Sequence, residues 1–274
     1  MKELLRVDST LDLGAIDTAA TPGYTGNKKD GQKSLAAGAP ELEELQERLF
    51  ANSRFGDKRS VLLVLQAMDT AGKGGVVKHV VGSVDPQGTH IHAFKAPTEA
   101  EKAHDFLWRV RKQLPEPGMI GVFDRSHYED VLIHRVRGFS TPEAIEERYG
   151  IIADFEQQVH DAGTTIVKVM LHISLAEQKA RLEARLDDPA KHWKFNPGDL
   201  DERELWPQYM EAYEIALRRT STDVAPWYVV PADRKWYARL AVQTLVVDAL
   251  RGLKLEWPEA DYDVAAEKKR LAAT

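Results

Sequence analysis

The stretch Val61–Gly75 reads VLLVLQAMDTAGKGG. It opens on an apolar run, Val61 to Leu65, and breaks into a loop of Gly and small residues. A helical pattern follows, with Val76, Val77, Val80 and Val81 on its apolar side. A continuous apolar run of this length suits a strand buried in a parallel sheet. A Gly-rich turn between such a strand and a helix N-terminus is an anion site, because backbone N–H groups point inward and the helix dipole favours negative charge. Lys73 adds a full positive charge. Ala71, Gly72, Gly74 and Gly75 are therefore candidates for backbone laid against phosphate.

The pattern is close to the phosphate-loop motif G-x-x-x-x-G-K-[ST] and departs from it twice. Ala67 sits where the first Gly belongs, and Gly74 replaces the Ser or Thr. The second departure removes the hydroxyl that normally holds Mg²⁺; Asp69, inside the loop, offers an oxygen in its place. The plainer reading is an ordinary strand–turn–helix connection with a Lys at the helix start. Against it, A-G-K-G-G follows a strand and opens a helix, as the phosphate-binding mechanism requires.

The chain has 274 residues, of which 43% are hydrophobic. That supports a normal core in one large α/β domain or two small ones and excludes a wholly disordered chain. No apolar run reaches the length of a membrane span, and the N-terminus does not read as a signal peptide. Without cysteine there is no disulfide framework and no thiolate chemistry. A cytoplasmic protein is the expectation. The formal net charge of −6 argues against a general nucleic-acid binder, so a polyanion would need a local basic track.

Upstream, residues 1–40 lack clear periodicity and read as an extended arm wrapped on the body or a loose tail. Lys28, Lys29 and Lys33 read as a solvated charge run rather than a ligand contact. A helix is expected over Glu41–Phe50, with Pro40 just before it and Leu42, Leu45 and Leu49 inward. Downstream, Thr89–Phe94 reads as a second strand. Thr98 and Glu101 form a capping box for a helix carrying Phe106, Leu107, Val110 and Leu114, which stops before Pro115. Lys95 falls at the C-terminal end of the strand, the edge where ligands bind in open α/β sheets.

Met119–Phe123 reads as a third, buried strand ending in Asp124-Arg125. An apolar strand that delivers an Asp at its C-terminal end is the Walker B arrangement, whose carboxylate holds Mg²⁺ beside the phosphate loop. Arg125 is placed to touch a phosphate; the alternative is a salt bridge to a local carboxylate. A long helix opens at Ser140-Thr141-Pro142-Glu143, with Ile145, Tyr149, Ile152, Phe155 and Val159 on one face, and ends at Gly163. A fourth strand follows over Thr165–Ile173. Ser174 and Glu177 form a second capping box, and the helix they open carries Arg181 and Arg185 one turn apart. Lys191, His192, Trp193, Lys194 and Phe195 then read as a lid, or else as the charged tip of a helical hairpin. A helix over Asp201–Arg219, a short strand over Trp227–Val230 and a helix over Asp233–Leu253 complete the pattern. Strands alternate with helices throughout, as in a parallel sheet covered on both faces. The histidines show no His-x-x-x-His spacing, so structural zinc is not expected.

Six segments in this order resemble the family-2 polyphosphate kinases. They are AMDTAGKGG (67–75), VDPQGTHIHAFKAPT (84–98), HDFLWR (104–109), FDRSHYEDVL (123–132), DDPAKHWKF (187–195) and APWYVVPADRKWYARL (225–240). The resemblance covers roughly residues 40–255. It implies an α/β fold of the P-loop kinase type, a parallel sheet covered by helices with a helical lid. The division it suggests is an N-terminal arm over 1–40, a kinase domain over 41–255 with its lid around 181–205, and a tail over 256–274.

The resemblance implies Mg²⁺-dependent phosphoryl transfer between inorganic polyphosphate and a nucleotide, AMP or ADP and GMP or GDP. It places Asp69 and Lys73 in the phosphate loop and Asp124 and Arg125 in the Walker B motif, with Asp69 and Asp124 as the metal ligands. Lys78 extends the basic track, and Arg181, Arg185, Lys191, Trp193 and Lys194 fall in the lid region. Glu129 in S-H-Y-E-D looks like the subgroup acting on both mono- and diphosphates, although some members of that subgroup carry Asn where this chain has Asp124. A homodimer or homotetramer is implied, with no nucleic-acid or membrane partner. Two rivals stand beside this reading: an ATP-dependent nucleotide or small-molecule kinase, and a phosphate-binding regulator without catalysis.

Overall fold

The computed structural model describes all 274 residues. Five strands form one wholly parallel sheet: β1 (Ser60–Gln66), β2 (Thr89–Ala93), β3 (Ile120–Asp124), β4 (Thr164–His172) and β5 (Trp227–Pro231). Their spatial order is β2-β3-β1-β4-β5. The chain leaves β1 for the β2 edge, returns through β3, and then crosses β1 to build β4 and β5. The strand order reverses at β1, and ligands in open α/β sheets bind at the carboxyl ends of the strands beside such a reversal.

Helices cover both faces, as the alternation of strand and helix predicts. They are α1 (Lys28–Ser53), α2 (Lys73–His79), α3 (Pro142–Asp161), α4 (Leu175–Leu186), α5 (Gly198–Glu204), α6 (Trp206–Thr220), α7 (Lys235–Gly252) and α8 (Val264–Ala272). In β1 the pleat sends Val61, Leu63 and Leu65 to one face, where they pack with residues of α1, α2 and α7. Leu62 and Val64 go to the other face, among residues of α3 and α6. β1 is thus buried on both sides, which is why it reads as an unbroken apolar run. No helix is long and apolar enough to cross a membrane.

Four local expectations need correction. The first long helix begins at Lys28, not Glu41, with Asn27 and Asp30 forming a capping box and Pro40 inside the helix. Its glycines mark close packing: a Cβ on Gly31 would lie 2.2 Å from the Trp236 ring, and one on Gly38 would lie 2.7 Å from Gln243 Oε1. Ahead of it, the first residues are tied to the body. Val7 N–H donates to Trp227 O at 2.9 Å, and Leu5, Val7 and Leu13 are buried.

The helix opened by the Thr98–Glu101 capping box runs only to Lys102 and resumes over Trp108–Arg111. Between the two, Asp105 accepts from Leu107 N–H at 3.0 Å and diverts the backbone into a turn. The helix expected over Asp201–Arg219 is two helices parted at Leu205, where Pro207 sits in the first turn of the second and cannot continue the ladder of the first. Finally, Ser174 caps α4 by accepting from Glu177 N–H, but the Glu177 carboxylate does not return to the cap; it binds Arg181.

Candidate active site

The sheet brings the two motifs together. Leu65 pairs with Asp124 across β1 and β3, so the phosphate loop and the Walker B carboxylate leave neighbouring strands at the same level. The loop closes on Gly72, with φ 119° and ψ 13°, in the left-handed region that favours glycine. α2 starts at the next residue, Lys73. The Lys73 side chain folds back over the loop: its Nζ donates to Ala67 O at 3.3 Å and lies 3.9 Å from Asp124 Oδ1. Arg125 is held at φ +62°, uncommon for a residue with a side chain. Its Nη2 donates to Asp69 Oδ1 at 2.8 Å. The four residues expected to be catalytic therefore meet at one point, two cations interleaved with two carboxylates.

The electrostatics follow from the crowding. Burial opposes the Arg125 charge, but Glu129, Asp69 and Asp124 outweigh it and hold the guanidinium above its ordinary value. Glu129, one turn past Arg125, is pushed up by burial despite Arg125 and Lys73. Both residues line a cleft of about 650 Å³. Asp69, Lys95, Lys102, Arg109, Asp199, Glu202, Tyr209 and Tyr213 share its wall. Burial and the facing Asp69 push the Asp199 carboxyl up, against Arg185. The segment between α4 and α6 thus contributes acids to the cleft.

A second feature lies beside the loop, away from the cleft. Lys235 and Arg239 lie one turn apart on α7, Arg239 half-buried and Lys235 on the exposed side. A Cβ on Gly75 would lie 3.3 Å from Arg239 Nη2. Burial pulls Lys235 below its usual value, and Arg181, Arg239 and Lys191 add to this while Glu177 opposes it. Burial alone lowers Arg239. Burial likewise lowers His79, with Arg239 and Lys78 adding to it. Lys191 and Arg239 thus bear on Lys235, and Arg239 and Lys78 bear on His79, so cations gather past the start of α2.

The polyphosphate kinase 2 (PPK2) family profile matches residues 25–257. The chain belongs to the polyphosphate kinase 2 family. It is 44% identical to the AMP/ADP-polyphosphate phosphotransferase of Meiothermus ruber, over 97% of this chain and 98% of that one. It is also 44% identical to the ADP-polyphosphate phosphotransferase of Rhodopseudomonas palustris, over 95% of this chain and 92% of that one. Among solved structures, polyphosphate kinase 2 from Arthrobacter aurescens superposes with a TM-score of 0.98 at 60% identity, covering 100% of this chain and 96% of that one.

Within this polyphosphate kinase 2 frame, the expected site residues divide into three groups. Asp69, Lys73, Asp124 and Arg125 converge, with Ala71, Gly72, Gly74 and Gly75 in the loop and first turn and Glu129 in the cleft. Lys78 and Lys191 lie with the cations of α7, although Lys191 also pairs with Asp188 at 2.7 Å. The others are placed differently. All five N–H groups of Arg181 are engaged: Glu177 Oε1 at 2.6 Å, Thr70 O at 3.0 Å, Ala71 O at 2.8 Å, Ala232 O at 2.6 Å and Asp233 O at 3.1 Å. It braces the loop and has no donor left for a phosphate. Arg185 donates to Lys194 O at 2.9 Å and lies 3.5 Å from Asp199. Trp193 is 79% exposed, with Lys194 over its ring, and neither lines the cleft.

Sequence reasoning missed Asp199, Tyr209 and Tyr213, and Lys235 and Arg239 stood inside the quoted APWYVVPADRKWYARL segment without a role. Arg109 stood inside the quoted HDFLWR segment without a role; its Nη1 donates to Lys95 O at 2.7 Å at the cleft wall. The donor set also fits Mg²⁺: the carboxylates of Asp69 and Asp124, hard oxygen ligands that both act on Arg125. Magnesium is held by one or two carboxylates with water and substrate phosphates rather than by an all-protein cage.

Proposed function

We propose that this protein transfers phosphoryl groups between inorganic polyphosphate and nucleoside mono- and diphosphates, AMP and ADP as well as GMP and GDP, with Mg²⁺. The observation that carries the reading is the placement of the Lys73–Arg125 centre between two different features. On one side is a cleft with mixed charge and tyrosine walls, suited to a nucleotide. On the other is a run of cations, Lys78, Lys191, Lys235 and Arg239, suited to a long polyanion.

The acceptor's terminal phosphate is already ionised at neutral pH, so its oxygen attacks without a general base. A P–O bond to the acceptor forms as the P–O bond to the shortened polyphosphate breaks. Lys73 and Arg125 stabilise the charge on the transferred group, and rigid positioning supplies most of the remainder. Asp69 and Asp124 would hold Mg²⁺, which neutralises phosphate charge. Arg181 keeps the loop in its binding shape, and the segment around 181–205 acts as a lid that carries Arg185 toward the phosphates. Arg185 would exchange Asp199 for a phosphate oxygen on closure. Glu129, half-buried at the cleft wall near Arg125, supports acceptance of monophosphates as well as diphosphates. The protein is read as a cytoplasmic homodimer or homotetramer, with residues 256–274 peripheral to the catalytic domain and residues 1–40 packed against it.

An acceptor panel tests the reading. With Mg²⁺ and long-chain polyphosphate, AMP should yield ADP and then ATP, and GMP should yield GDP and then GTP. Phosphorylation of the diphosphates alone would remove the Glu129 argument and leave the rest standing.

A further inference from the structure

A charged group lies beneath the catalytic turn, and the reaction described above does not use it. Lys168, in the middle of β4, is 0% exposed, and Glu156 of α3 is 1% exposed. Lys168 Nζ donates to Glu156 Oε2 at 2.5 Å, to Thr220 O at 2.7 Å and to Tyr128 Oη at 2.9 Å, which uses all three of its donors. The Tyr128 hydroxyl donates in turn to Glu156 Oε1 at 2.8 Å, and His127 Nε2 reaches the same oxygen at 3.2 Å. Burial pushes the Glu156 carboxyl up, but Lys168 and His127 outweigh it and leave the carboxyl below its usual value.

Stability alone does not account for such a pair, since well-packed apolar residues of similar volume serve as well or better. What the pair holds is the turn His127–Asp130. Tyr128 points down into it, while the next residue, Glu129, faces the cleft. The turn is entered through Arg125 at φ +62°, and Ser126 Oγ accepts from Tyr128 N–H at 3.2 Å. Arg125 and Glu129 thus sit on a short, unusually bent segment anchored from below by a tyrosine hydroxyl.

We propose that Lys168 and Glu156 are positioning residues for phosphoryl transfer: through Tyr128 they fix the turn so that Arg125 and Glu129 face the transferred group. The inference rests on the reaction proposed above. The test compares wild type, Tyr128→Phe and the double variant Lys168→Met/Glu156→Leu for thermal melting, far-UV circular dichroism, and kcat and KM with polyphosphate and AMP. Tyr128→Phe cuts the link and keeps the ion pair bonded, so it decides the matter if the double variant fails to fold. The expected result is folded protein with kcat about tenfold lower and KM for polyphosphate within about twofold of wild type. A folded Tyr128→Phe with kcat within about twofold of wild type overturns the inference, as does a loss that only follows the folded fraction. An inactive wild type overturns the proposed reaction and this inference together, whereas an active wild type with unaffected variants overturns the inference alone.

Discussion

Replacing Arg181 separates a brace from a phosphate contact. Arg181 is 7% exposed, and its guanidinium spends every donor on Glu177 and four carbonyl oxygens, two in the phosphate loop and two at the junction of β5 and α7. Hydrogen bonds to a charged donor contribute about 1.5–3 kcal/mol each, but the freed carbonyls near the cleft recover water, so the terms do not add. Removing one partner of a buried charged network costs about 3–5 kcal/mol, so Arg181→Ala should lose about that much stability. The unfolding entropy of a chain this long is roughly 0.6 kcal/mol per kelvin, so the melting temperature should fall by about 5–9 °C. The melt is followed by circular dichroism in phosphate-free buffer without polyphosphate, where a phosphate contact contributes nothing. Arg181→Lys should recover less than half of the loss, because an ammonium has three donors and no planar fork. If Arg181→Ala melts within about 1 °C of wild type while KM for polyphosphate rises, Arg181 is a substrate contact and the brace argument is wrong.

Three further outcomes are expected. Lys73→Ala should lower kcat by about a hundredfold or more without loss of the folded signal, checked by steady-state kinetics beside circular dichroism; near-normal turnover would remove Lys73 from the chemistry. Lys235→Ala and Arg239→Ala should each raise KM for long polyphosphate. Each should also flatten the log–log salt dependence of polyphosphate binding by about one unit, measured by titration at several ionic strengths, with little change in KM for AMP. Glu129→Gln should raise the melting temperature at neutral pH. The Glu129 carboxyl sits above its ordinary value of 4.5 in the folded protein, so stability is lost progressively as pH rises from 4.5 to the folded value and stays lost above it. The gain should shrink as pH falls toward 4.5 and vanish below it, and a pH-independent difference would contradict the desolvation argument.

The centre of the site was legible because each residue there is fixed by neighbours in sequence. Lys73 follows a strand and a Gly-rich loop, and Asp124 and Arg125 end an apolar strand; the sheet needs only to set β1 beside β3. The cations of α7 carry no such signal. Lys235 and Arg239 come more than 150 residues after the loop, and only the crossing of β4 and β5 past β1 returns α7 to Gly75. The bracing contacts of Arg181 were hidden for the same reason: a buried arginine and a phosphate-facing one look alike in sequence, and the carbonyls of Ala232 and Asp233 that it binds are invisible there. The first half of α1 was missed because Gly31, Gly38 and Pro40 read as loop residues. The two glycines instead make room for Trp236 and Gln243, and Pro40 stands on the exposed side of a helix already held by its packing on α7.

Donor choice tests the central claim most directly. Purified protein is given Mg²⁺ and AMP with either long-chain polyphosphate or ATP as the sole donor, and the products are resolved by chromatography while the polyphosphate is followed by phosphorus NMR. The account predicts that AMP becomes ADP and then ATP at the expense of polyphosphate, one phosphoryl group lost for each one gained, and that removing Mg²⁺ with a chelator stops the reaction. Phosphorylation from ATP with none from polyphosphate would contradict it and mark the site as that of an ATP-dependent kinase.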